Sequence, residues 1–156
     1  MKAIHWIIAA AALAFVLPAE ADAAVGDPEM VIYRFPGVAD NGGGPGVGVA
    51  TVFHCTNFSG VQETLRIVTR SSAGVLITNN APTILHLQTL TLATHSVSAY
   101  VSGALLTGAV TQGTAAIAAT SVNIICTAMT IDASTAAPVG VALRGIRFNP
   151  APGSQE

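Results

Sequence analysis

Charge is what this sequence has least of. Only 9% of its 156 residues are Asp, Glu, Lys or Arg, against about a quarter in an average soluble domain. Six basic and eight acidic side chains leave a formal net charge of −2, too weak a field to condense onto nucleic acid or anionic lipid. A nucleic-acid reader is therefore not expected. Aromatics are equally sparse at 5%, which argues against a sugar-binding platform built on exposed rings. Lysine and tryptophan occur once each, as Lys2 and Trp6. The three-residue glycine period of collagen, sustained heptads and longer internal repeats are missing too. Disorder requires low hydrophobicity with high net charge, and this chain is 51% hydrophobic.

What is present starts with an export signal. Lys2 precedes an apolar run from Trp6 to Leu17, then Pro18 and small residues in which Ala21-Asp22-Ala23 offers an A-x-A cleavage site before Ala24. The pattern predicts a cleaved signal peptide over residues 1–23, with Ala19-Glu20-Ala21 as a second site. The run is shorter than the ~20 residues that cross a bilayer, and no cysteine follows either site to carry a lipid. The expectation is a secreted or periplasmic chain, residues 24–156, with no membrane span.

After that cut the charges are Arg34, Arg66, Arg70, Arg144 and Arg147 against Asp27, Glu29, Asp40, Glu63, Asp132 and Glu156. Hydroxyls replace them as the polar surface, with sixteen Thr and nine Ser in the same stretch. Threonine also favours strands.

Cys55 and Cys126 are the only thiols, and a pair in an exported protein is more often a bridge than a metal or redox site, absent any C-x-x-C spacing. Closing so long a loop stabilises a fold by about 4 kcal/mol on the chain-entropy model. Each cysteine lies in an alternating run. Val47, Val49, Thr51, Phe53 and Cys55 share one face of the first; Ile124, Cys126 and Ala128 share one face of the second. A bridge between them is expected to pin two sheets together across a shared core.

The remaining pattern is strands and turns. Met30 to Phe35 reads as a strand stopped by Pro36-Gly37, and Asp40 to Gly46 as a glycine-rich loop. Strands are predicted over Glu63 to Arg70, Val75 to Thr78, Ala115 to Thr120, Asn123 to Ile131 and Val139 to Phe148. Thr83 to Gly103 accommodates one strand or two, with a short helix between Ala81 and Leu87 left open. Gly103 to Ala119 reads either as strand or as low-complexity loop, and the tail after Pro150 as loose. The fold class predicted is all-β: a single immunoglobulin-like or Greek-key β-sandwich of about seven to nine strands.

Candidate chemistry is thin. His54, His86 and His95 form no H-e-x-x-H motif or i, i+4 pair, so structural histidines are the plainer reading than a zinc site. There is no G-x-S-x-G elbow for a serine nucleophile, and Asp132 is the one acid embedded in a strand. The glycine loop lacks the lysine of a phosphate cradle and a second acid for calcium. No catalytic residue, metal or cofactor is assigned. On the reverse face of the Cys126 strand, Ile125, Met129 and Ile131 need a cover, either a loop of the same chain or a protein partner. Arg66 and Arg70 flank Val68 on one strand face, where a solvated face is the plainer reading and recognition of an acidic ligand the alternative.

Cys55-Thr56-Asn57 closing one strand, with Cys126-Thr127-Ala128 leading to Asp132, resembles a group of exported bacterial β-sandwich proteins without assigned activity. The resemblance spans about residues 30–148, implies location and fold, and transfers no functional residue. The function expected is a non-catalytic exported interaction or structural module, binding a protein partner or itself. Strand addition through Val25 to Phe35 is one route. The alternative is a small secreted hydrolase or metal-binding protein using a histidine with Asp132 or a serine.

Overall fold

A computed structural model describes residues 29–148. The expected signal peptide and the tail after Pro150 lie outside the described residues, as does the first part of the Val25 to Phe35 segment. Eleven strands run in order: β1 (Met30–Asp40), β2 (Val49–Asn57), β3 (Glu63–Arg70), β4 (Leu76–Asn80), β5 (Thr83–Ile84), β6 (Thr89–Ala93), β7 (Gly103–Ala104), β8 (Val110–Ala119), β9 (Ile124–Asp132), β10 (Gly140–Leu143) and β11 (Ile146–Arg147). Three have only two residues each. Among the described residues no helix is long and apolar enough to cross a membrane.

The strands form two sheets. One has the order β11-β1-β8-β3-β4 with β5 also paired to β3; the other runs β10-β9-β2-β6-β7. Pairing is antiparallel throughout except between β6 and β7. Alternation explains the layering. Ile67 on β3, Ile117 on β8, Phe53 on β2 and Ile124 on β9 all turn inward to one buried cluster, while their neighbours in sequence turn out. Phe35 of the first sheet meets Phe53 of the second edge-on at 5.9 Å, the packing expected of a β-sandwich.

Cys55 and Cys126 are bridged, but not across the core. They are direct partners in the β2–β9 ladder, Cα to Cα 4.2 Å apart. The staple therefore joins two strands of one sheet, correcting the inter-sheet expectation. Alternation says only that each sulfur faces inward; sheet membership depends on strand pairing, which local pattern does not carry.

One other expectation changes, and two open alternatives are decided. Pro36-Gly37 does not end β1: the register shifts between Pro36 and Val38, Gly37 takes φ 84°, and the strand continues to Asp40. Pro36 lies beyond β11, which reaches only Tyr33 and Arg34, so the strand has an open side where an absent N–H is tolerated. The alanine-rich stretch supplies β8, flanked on both sides by β1 and β3. No helix forms between Ala81 and Leu87; β5 and a turn occupy that span.

A second apolar cluster lies on the outer face of the five-stranded sheet. Ala50, Val52, Ala93 and Ile131 are buried there beneath Val97, with Ala99, Tyr100 and Met129 at its margin. The segment after β6 folds back over the sheet, so this stretch of chain is its own cover.

Candidate functional site

Three connections meet where β1 ends. Asp40 is its last residue, the glycine-rich loop follows, His95 comes just after β6, and Thr107 follows β7. Asp40 is 2% exposed and His95 7%. The His95 Nδ1–H donates to Asp40 Oδ2 at 2.7 Å, and the Gly42 N–H donates to Oδ1, also at 2.7 Å. The Thr107 hydroxyl approaches Oδ2 at 3.4 Å. Two hollows of about 220 and 360 Å³ open beside Asp40.

The loop is shaped to bring these groups together. Asn41 Oδ1 accepts from the Gly43 and Val49 N–H groups at 3.2 and 3.1 Å. Gly48 has φ +79°, and a Cβ there would stand 2.1 Å from Asn41 Nδ2, so only glycine fits. The Gly46 N–H reaches the Ser96 carbonyl at 2.8 Å, tying the loop to the His95 segment. Beneath it, buried Thr51 exchanges hydrogen bonds with Ala39 of the opposite sheet, donating to its carbonyl and accepting from its N–H, each at 2.9 Å.

A carboxylate holding Nδ1 fixes the ring's orientation, as it does for histidines that act as bases or ligands. Here His95 Nε2 is buried with no partner among the described residues, so the ring offers no exposed nitrogen to a substrate. The arrangement is a clasp that joins the glycine loop to the segment covering the outer face.

The other two described histidines stand elsewhere. His54 Nδ1 lies 3.0 Å from the Thr91 hydroxyl and its ring meets Tyr100 edge-on at 4.6 Å; burial lowers its pKa. His86 Nδ1 accepts from the Gly60 N–H at 3.0 Å. Asp132 Oδ1 accepts from the Ser134 hydroxyl and N–H at 2.7 and 2.9 Å, which lower its pKa. Among the described residues no three His, Cys, Asp or Glu side chains group to hold a metal.

The expected surface residues separate. Ile131 is 2% exposed and Met129 half-buried, its sulfur 3.8 Å from the Tyr100 hydroxyl, while Ile125 is 48% exposed. Only Ile125 of the three is open to a partner. Arg66 forks onto Glu29 and donates to Asn79 Oδ1 at 2.8 Å. Arg70 donates to the Gly74 carbonyl at 3.0 Å.

Two buried acids escaped the sequence reading as site residues. In the sequence Asp40 stands out only as the start of the glycine loop. Glu63, wholly buried, accepts from the Thr120 hydroxyl, and its other oxygen has no partner among the described residues. A buried carboxyl at the start of a strand leaves no mark in composition or spacing.

No family model, curated protein or solved structure matches this chain.

Proposed function

We propose that this chain is an exported, non-catalytic interaction module that associates with a second copy of itself by pairing an open strand edge, in the periplasm or outside the cell. Export is supported by the apolar N-terminal run with its A-x-A site and by the Cys55–Cys126 bridge. An immunoglobulin-like or Greek-key order is supported by the way the chain changes sheet at β1–β2, β2–β3, β5–β6, β7–β8, β8–β9 and β10–β11.

The observation that carries the reading is β10. Among the described residues it is the edge of the five-stranded sheet, paired only to β9. Val139 and Val141 are 74% and 71% exposed, and residues 133–143 include no charge. Monomeric proteins usually guard such an edge with lysine or by covering it. The N-terminal segment is a poorer donor than expected: Ile32 and Phe35 already fill the core from β1, so deleting it removes a central strand rather than an appendage.

Sedimentation velocity over a concentration series tests this. The native chain should self-associate, Val141→Lys should be monomeric with an unchanged melting temperature, and Leu76→Lys, on the opposite edge strand β4, should associate as before. A native chain monomeric at every concentration, or association that survives Val141→Lys, ends the proposal.

A further inference from the structure

The glycine-rich loop opens on Asp40-Asn41-Gly42, the one Asn-Gly step in the sequence. Asparagine followed by glycine is the pair in which the next backbone nitrogen reaches the side-chain amide most freely, because glycine has no Cβ to hinder the approach. Around this step the fold places a base, a group that orients the base, and donors for the carbonyl under attack.

The nucleophile is the Gly42 backbone nitrogen. Its N–H donates to Asp40 Oδ1 at 2.7 Å, within the reach required of a general base. Asp40 is fixed in turn through Oδ2, which accepts from the His95 Nδ1–H at 2.7 Å, the nucleophile, base and orienter order of a triad. The electrophile is Asn41 Cγ. Its oxygen accepts from the Gly43 and Val49 N–H groups at 3.2 and 3.1 Å, two fixed donors where negative charge develops as that carbon turns tetrahedral. Val49 is the first residue of β2, so this donor is supplied by the fold and not by the turn itself. Asn41 is exposed and lines the hollow of about 360 Å³ beside Asp40, a way in for water and out for ammonia. Gly48 abuts Asn41 Nδ2 with no side chain to hold the departing nitrogen.

We infer that Asn41 is a self-modification site, converted by its own loop to a succinimide and then to aspartate or isoaspartate. The Gly42 nitrogen bonds to Asn41 Cγ and passes its proton to Asp40. The Cγ–Nδ2 bond breaks, Asp40 returns the proton to the leaving nitrogen, and ammonia departs. Water then adds to either imide carbonyl, giving aspartate or the isoaspartyl form whose backbone runs through the side-chain carbonyl. No oxidant or cofactor enters, and each chain reacts once, without turnover. The imide nitrogen carries no hydrogen, so Asp40 loses its Gly42 donor while the ring lasts. The finished product sets a second carboxylate beside Asp40, a like charge working against the His95 clasp.

The test incubates the full exported chain at neutral pH, folded and in guanidinium chloride, and follows residue 41 by peptide mass and by hydroxylamine, which cuts a succinimide between Asn41 and Gly42. Base and donors held in place should make conversion on the order of a hundredfold faster in the folded chain than in the unfolded one, whereas a backbone held out of attack geometry reacts more slowly when folded. Asp40→Asn, confirmed folded by dichroism, should bring the folded rate down to the unfolded one. Asn41→Gln, whose cyclisation needs a larger ring, should stay intact. Folded conversion no faster than unfolded, reaction first at another asparagine, or an undiminished rate in folded Asp40→Asn would each overturn the proposal. The native chain compared with itself decides the matter even where Asp40→Asn does not fold. Self-association is read separately, so failure here leaves the edge-pairing reading standing, and the reverse.

Discussion

Asp40 and His95, fifty-five positions apart, grip each other by a 2.7 Å hydrogen bond at the rim where three loops converge. Because both are buried, removing the ring leaves the carboxylate, among the described residues, with the Gly42 N–H and the more distant Thr107 hydroxyl. His95→Ala should therefore cost about 3 kcal/mol in urea unfolding. Asp40→Ala alone should cost a similar amount, and the double variant much less than the sum. Additive losses would mean that the two groups act separately.

The disulfide acts on the unfolded chain. Cys55 and Cys126 are 71 positions apart, so the double alanine variant should lose about 4 kcal/mol, the chain-entropy value for a loop of that length. The sheets should nevertheless remain packed, because the bridge does not span them and the Phe35–Phe53 contact does. Near-ultraviolet dichroism should survive in the variant; its loss, with dye binding, would show that sheet docking depends on the bridge.

Thr120 holds one end of the fold. Its hydroxyl donates to Glu63 and accepts from the Thr64 N–H at 3.1 Å. Thr120→Val keeps the shape but leaves buried Glu63 and the half-buried Thr64 N–H without this partner, at about 2 kcal/mol. Thr120→Ser, retaining the hydroxyl, should recover most of that in the same thermal melts.

Acid should weaken the fold through His54. Burial lowers its pKa below the ordinary 6.5, so between the folded and unfolded values the unfolded chain binds more protons. The stability is whole above 6.5 and is lost as pH falls below it. Asp132, its pKa lowered from 3.8 by Ser134, adds a second loss at lower pH, since its contribution is present above 3.8 and disappears as pH falls through the folded value. The melting temperature should drop more between about pH 7.5 and about pH 5 in the native chain than in His54→Gln; equal drops would assign the sensitivity elsewhere.

The site residues are unevenly legible in the sequence. Arg66, Arg70 and Val68 were visible as one face because period-two alternation is local. Asn41 was not linked to Val49, since the N–H it accepts comes from the next strand. His95 carried no sign of its partner: the glycines after Asp40 announced a loop, and nothing in the chain stated which segment would close on it. Ile131 and Met129 were legible as apolar residues needing cover, yet Val97 and Tyr100, which provide it, come from a stretch whose pattern was too irregular to place.

Alternation of side chains along each strand, the scarcity of charge and the inward direction of both sulfurs follow from the chain alone, because each depends on residues next to one another. Which strands pair, that Cys55 faces Cys126 within one sheet, that Asp40 meets His95, and that the Val49 N–H reaches Asn41 were decided by tertiary structure. Those contacts join distant segments, and their geometry is set by strand order and register, quantities that packing both faces of two sheets selects and no single stretch of sequence encodes.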